Sequence, residues 1–247
     1  MCSCHLKTGE IYNMALPKLN DQPKYDIVVP SSQTKVRYRP YLVKEEKVLM
    51  LAMESKDSKK ALGAIVDTIG ACVQDDLDTS SLTTFDVEYL FTQIRSKSVG
   101  ETSEINLQCA ECEKDIPISI PLSDITVTMP KKKMDIIKLT DDIQIKMRYP
   151  AYNEILEMDQ EAEGPTESFK IVSKCIDSVQ TNEENISLKD ESEEEIQSFI
   201  DSLTTEQFGK IREFLESIPK LEHKLTVECP HCNHTEERIL AGINNFF

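Results

Sequence analysis

The sequence predicts an α+β fold in which a mostly helical body carries a small pair of β hairpins, preceded by an N-terminal β hairpin. Three observations predict it. Apolar residues recur at helical spacing through 43–96 and again through 169–215. They alternate with period two on either side of two short turns, near 104–120 and 225–240. Each of those turns carries a Cys-x-x-Cys pair, Cys109/Cys112 and Cys229/Cys232.

The elements follow in order. Pro17, Pro23 and Pro30 exclude a helix from the opening arm, because proline lacks the N–H and clashes with the preceding turn. Within that arm 25–29 and 36–39 form a strand pair with a polar turn between them. After Pro40, 43–54 is a helix with Leu49, Met50 and Met53 in its apolar stripe. The segment 58–74 repeats the pattern with Leu62, Ile65, Val66, Ile69 and Val73. A third helix, 84–96, turns Phe85, Tyr89, Phe91 and Ile94 inward, with Thr84 as its cap. Strands follow at 104–108, 115–120, 125–129 and 143–149. Phe169, Ile171, Val172, Cys175, Ile176 and Val179 keep helical spacing, 182–195 is expected to be a mobile loop, and Thr204-Thr205-Glu206-Gln207 is a capping box opening a helix that ends before Pro219. The expected organisation is a disordered extension over 1–13 and an arm, hairpin and helices over 14–103. A ribbon-like β region then combines 104–149 with 222–247, around an acidic helical insertion at 150–221.

Composition removes several function classes. The 247 residues hold 28 Lys and Arg against 44 Asp and Glu, a net charge of −16. Most of that excess lies in 154–201, where fifteen acidic residues face three lysines. Such a field repels nucleic acid and anionic lipid. No run of eighteen apolar residues offers a membrane span, and 1–14 has no apolar core of the kind a secretory signal needs. Seven glycines leave little material for phosphate-binding loops, and four histidines, three of them beside the second cysteine pair, build no nucleophile–base arrangement.

The chemistry sits in the cysteines. A Cys-x-x-Cys turn lets two sulfurs reach one metal, and two such turns facing each other supply the four thiolates of a structural zinc site. Cys109, Cys112, Cys229 and Cys232 are therefore the expected ligands of one structural zinc ion in a zinc-ribbon-like region, although 116 residues separate Cys112 from Cys229. Loop closure over that distance costs little extra, since its entropy rises only logarithmically with length. Two alternatives stay open: a zinc ribbon that binds nucleic acid as a transcription factor, and a thiol oxidoreductase using Cys229-Pro230-His231-Cys232. Cys72 and Cys175 fall on apolar helix faces and read as buried small hydrophobes; Cys2 and Cys4 read as incidental.

Several blocks make the chain familiar. They are Ala15-Leu16-Pro17-Lys18-Leu19-Asn20, the stretch from Val36-Arg37-Tyr38-Arg39-Pro40 to Lys47, and Arg95-Ser96-Lys97-Ser98-Val99-Gly100-Glu101. Leu139-Thr140-Asp141-Asp142-Ile143, Ser202-Leu203-Thr204-Thr205-Glu206-Gln207-Phe208 and the ending from Cys229 to Asn244-Asn245-Phe246-Phe247 complete the set. Together they resemble the baseplate hub subunit and hub-assembly family of T-even-type tailed phages. The likeness runs from Met14 to Phe247, which makes Met14 the expected natural start. It implies a non-enzymatic component of tail morphogenesis whose partners are other baseplate hub and tail proteins. Its expected place is the host cytoplasm during assembly and the tail baseplate of the virion. Members carry one or both cysteine pairs.

Overall fold

The computed structural model describes residues 22–55, 57–130, 135–157 and 165–242. The expected extension 1–13, the block 15–20 and the tail 243–247 lie outside the described residues. Strands β1 (Tyr25–Val28) and β2 (Lys35–Tyr38) pair antiparallel, Ile27 opposite Val36, and both side chains are buried. Arg39 Nη2 then reaches Glu45 Oε1 at 3.0 Å, at the start of helix α1 (Val43–Glu54). Asp57 caps helix α2 (Ser58–Cys72) by accepting from the Lys59 and Lys60 N–H groups. Helix α3 (Thr84–Ser98) is capped by Thr83, one residue before the expected Thr84, because Asp86 closes a capping box with Thr83. Asp86 is fully buried, and its other oxygen accepts the Ser31 N–H at 2.9 Å, which ties the β1–β2 turn to the head of α3. Ile65, Ile69, Cys72, Leu90, Phe91 and Ile94 form the centre of this first core.

Strands β3 (Thr102–Gln108) and β4 (Asp115–Pro121) make the first cysteine hairpin. A 3-10 turn, Leu122–Asp124, leads to β5 (Thr126–Val127). Then come β6 (Ile136–Lys138), β7 (Gln144–Met147), α4 (Tyr152–Leu156), α5 (Pro165–Cys175), β8 (Ile176–Gln180), β9 (Asn185–Ser187), α6 (Glu193–Asp201) and α7 (Thr205–Glu216). Strands β10 (Leu221–Glu228) and β11 (Thr235–Ala241) form the second cysteine hairpin, and β5 adds to β10, so that sheet runs β11-β10-β5. The chain leaving the first hairpin thus pairs at once with the base of the second. Ile120, Leu122, Ile125, Leu221 and Leu240 bury that junction. No helix of the described residues is long and apolar enough to cross a membrane.

Four more expectations are corrected. The body is not mostly helical: helix takes 41% and strand 28%, an α+β chain with more sheet than its periodicity announces. Ile176 and Val179 lie in β8, which follows α5 with no intervening loop; the run from Ile171 fits both periods, and no glycine or proline marks the switch. The expected mobile loop at 182–195 holds β9, the buried Leu188 and the start of α6, capped by Ser192. Strands β6 and β7, grouped with the ribbon in the sequence, hydrogen-bond instead in a four-stranded sheet, β6-β7-β8-β9. Helices α5, α6 and α7 contribute Val172, Cys175, Ile200, Ile211 and Phe214 to the core against that sheet. Tyr149, packed on this core, reaches the buried Phe85 at the head of α3. Its ring stands edge-on to Phe85 at 5.3 Å and stacks on Phe214 at 5.7 Å.

Candidate metal centre

The two cysteine turns are built alike. In the first, the Cys109 N–H donates to the Lys114 carbonyl at 3.0 Å, and the Glu113 N–H donates to the Cys109 carbonyl at 3.0 Å. In the second, the Cys229 N–H donates to the His234 carbonyl at 2.8 Å and the Asn233 N–H to the Cys229 carbonyl at 2.9 Å. The strands close with the same register, Gln108 opposite Asp115 and Glu228 opposite Thr235. Each turn needs a left-handed residue after its second cysteine, and Glu113 (φ 58°) and Asn233 (φ 59°) supply it.

These hairpins meet face to face. Ile116 and Val227 are buried between them, with Leu107, Ile118 and Leu225 around the edge. Arg238 of β11 donates from Nη2 to the Gln108 carbonyl of β3 at 3.2 Å, a link between the hairpins that nothing in the sequence signals. The result brings all four sulfurs within 4.8 Å of one another. Cys109 Sγ lies 3.7 Å from Cys232 Sγ, and Cys112 Sγ lies 3.6 Å from Cys229 Sγ. Cys109 and Cys229 are buried, Cys112 is half-buried and Cys232 is exposed, so the cluster has a closed inner side and one solvent-facing sulfur.

The electrostatics favour thiolate at the first cysteine of each pair. Backbone N–H groups of Cys112 and Glu111 point at Cys109 and hold its thiol below the usual range against the opposing effect of burial. Burial also works against the Cys229 thiolate, but the N–H groups of His231 and Cys232 and the neighbouring thiols outweigh it and bring it down to about 7. At the second cysteines the neighbouring thiols act the other way. Cys112 is raised although the Lys114 N–H favours its thiolate, and Cys232 is pushed up to about 12 despite the His234 N–H. Four sulfurs crowded together cannot all ionise without a cation among them. The arrangement can hold one metal ion.

Cys72 and Cys175 lie apart from this cluster, fully buried on α2 and α5, and burial pushes their thiols up to about 11 and about 12. His231 and His234 flank Cys232 in the turn, outside the four-sulfur group. The residues after Cys232 continue as strand β11 and open no helix, unlike the strand-to-helix context of a dithiol redox site.

Comparison with known proteins gives a consistent picture. Residues 22–247 match the family described as T4 bacteriophage base plate protein. The chain is also similar to the baseplate hub assembly protein gp26 of Enterobacteria phage T4, with 24% identity over 224 residues that cover 91% of this chain and 97% of that one. No solved structure matches.

Proposed function

We infer, from the premise that this chain belongs to the T4 bacteriophage base plate protein family, that it serves the tail baseplate hub, as a subunit or as an assembly factor. One observation carries the reading: the family match spans every described residue, and the relative named for hub assembly aligns almost end to end. Its partners are then other baseplate hub and tail proteins, met in the host cytoplasm during assembly or in the baseplate of the virion. The work is protein–protein contact and not catalysis. The four turn cysteines fit that role, with their sulfurs gathered where the two hairpins meet.

The same reading assigns Cys109, Cys112, Cys229 and Cys232 to one structural zinc ion. Tetrahedral sulfurs about 2.3 Å from zinc lie roughly 3.8 Å apart, close to the 3.7 and 3.6 Å of the two cross-hairpin pairs. An all-thiolate set suits zinc or iron and leaves no open position for substrate. When bound, the ion neutralises the thiolates and ties hairpin to hairpin. It thereby clamps the two ends of the segment between the hairpins, which leaves the ribbon after β5 (Thr126–Val127) and returns to it at β10 (Leu221–Glu228). A nucleic-acid-binding ribbon is the weaker reading, because Glu111, Glu113, Asp115, Glu228, Glu236 and Glu237 surround the turns with negative charge.

Affinity capture of the tagged full chain from infected cells, followed by mass spectrometry, tests the role. Recovery of hub and tail proteins supports it. Recovery of RNA polymerase alone overturns it.

A further inference from the structure

Large apolar side chains are exposed at scattered positions over most of the surface, but on α1 they gather. Val43, Val48, Met50, Leu51 and Met53 all stand open to solvent, with Val43 64% and Leu51 68% exposed, and Leu42 extends the patch at the helix start. Leu49, Glu45 and the half-buried Ala52 turn toward the core, where α1 packs on α2, and Glu46 is half-buried at the margin. A surface helix ordinarily opposes one apolar stripe with a polar face, and a helix apolar all round is a buried one. Half of the surface that α1 needs covered has no cover within this chain's described residues.

Helical spacing orders the open face. Val43, Lys47, Met50 and Glu54 run down its centre, Lys44, Val48 and Leu51 lie along one flank, and Glu46 and Met53 lie along the other. The two lysines balance the two glutamates, so this face is locally neutral on a chain of net charge −16. It is a surface on which two copies of an acidic chain can meet without repulsion. Charge is also ordered along the axis. Lys47 sits in the first half and Glu54 at the end. A second α1 laid antiparallel brings the Lys47 of each copy about one turn from the other's Glu54, and sets Val48 near Leu51 along the shared flank. A parallel pairing would set Lys47 against Lys47 instead.

We propose that α1 is the contact between two copies of this chain, packed antiparallel about a twofold axis through its middle turn. The twelve-residue helix is about 18 Å long. Its open apolar side chains present on the order of 500 Å² per copy, so a pair buries about the 1,000 Å² at which specific interfaces begin. That size fits a reversible dimer with a micromolar dissociation constant, self-complementary as twofold contacts must be. The inference concerns the isolated chain and is independent of the baseplate reading.

Sedimentation equilibrium of the full chain from about 1 to 100 μM decides it. The wild type is expected to move from 28.1 kDa toward twice that mass across this range. Leu51→Glu, an exposed substitution, should weaken association at least tenfold while leaving circular dichroism unchanged. Lys47→Glu should weaken it, and Lys47→Glu combined with Glu54→Lys should restore it, an outcome only an antiparallel self-contact gives. Ile239→Glu, at an exposed apolar residue on β11, should change nothing. A wild type that stays monomeric at 100 μM overturns the proposal, as does a Leu51→Glu variant that associates as well as the wild type.

Discussion

Glu113 and Asn233 hold the same left-handed backbone state, φ 58° and 59°, each four residues after the first cysteine of its pair. Asparagine tolerates that state, whereas glutamate adopts it at a cost of about 1 kcal/mol, because its Cβ crowds the following carbonyl. Both side chains are exposed, so substitution reports the backbone alone. Glu113→Gly is expected to raise stability by about 0.5 kcal/mol or more, and Asn233→Val to lower it by about 1 kcal/mol. Thermal unfolding of the two variants checks this; a destabilised Glu113→Gly would contradict it.

In the proposed zinc site, replacing one cysteine leaves three thiolates without their clamp. Cys229→Ser is expected to lose bound metal and to melt at a lower temperature, since the free energy of a structural metal site is folding free energy. Cys72→Ala is the contrasting case: its sulfur is buried in the first core, so some stability is lost with metal content unchanged. Metal analysis alongside calorimetry separates the two. Equal metal and equal melting temperature in wild type and Cys229→Ser would refute the assignment.

Tyr149 links Phe214, in the core against the four-stranded sheet, to the buried Phe85 of α3. Phe214→Ala empties a buried site and removes the stacked partner, for an expected loss of about 3 kcal/mol or more in urea unfolding. A loss below about 1 kcal/mol would mean the ring contributes little there.

Arg148 donates to Glu154 from both terminal guanidinium nitrogens, Nη1 and Nη2, at 2.7 and 2.6 Å. Burial opposes the carboxylate, but that grip and the Ala151 N–H outweigh it and hold Glu154 below its ordinary 4.5. Glu45 is lowered in the same way, against burial, by Arg39 and the Leu42 N–H. A group whose folded pKa is depressed contributes stability above its unfolded pKa and loses it as pH falls through the folded value. Stability should therefore decline as pH drops below about 4.5. Glu154→Gln should decline less steeply over that window while being weaker at pH 7. Unfolding curves from pH 3 to 7 measure both slopes, and parallel slopes would refute the pairing.

Sequence pattern revealed elements where one period ruled alone. The three helices over 43–98, the capping box at Thr204 and both cysteine hairpins are where periodicity and turn chemistry put them. It failed where one set of residues satisfies two periods, as at Ile176 and Val179, and where a short strand such as Asn185–Ser187 takes its order from a neighbour and not from its own residues. The four cysteines could be grouped from spacing and strand context, because a knuckle is local chemistry repeated twice. The Arg238–Gln108 link, the Tyr149 bridge and the open face of α1 are tertiary facts, and no local pattern carries them.

X-ray absorption spectroscopy of the full chain, purified without added metal, tests the clamp most directly. The account predicts one zinc per chain, surrounded by four sulfurs at about 2.3 Å. A chain without stoichiometric metal, or a first shell containing nitrogen or oxygen, would contradict it.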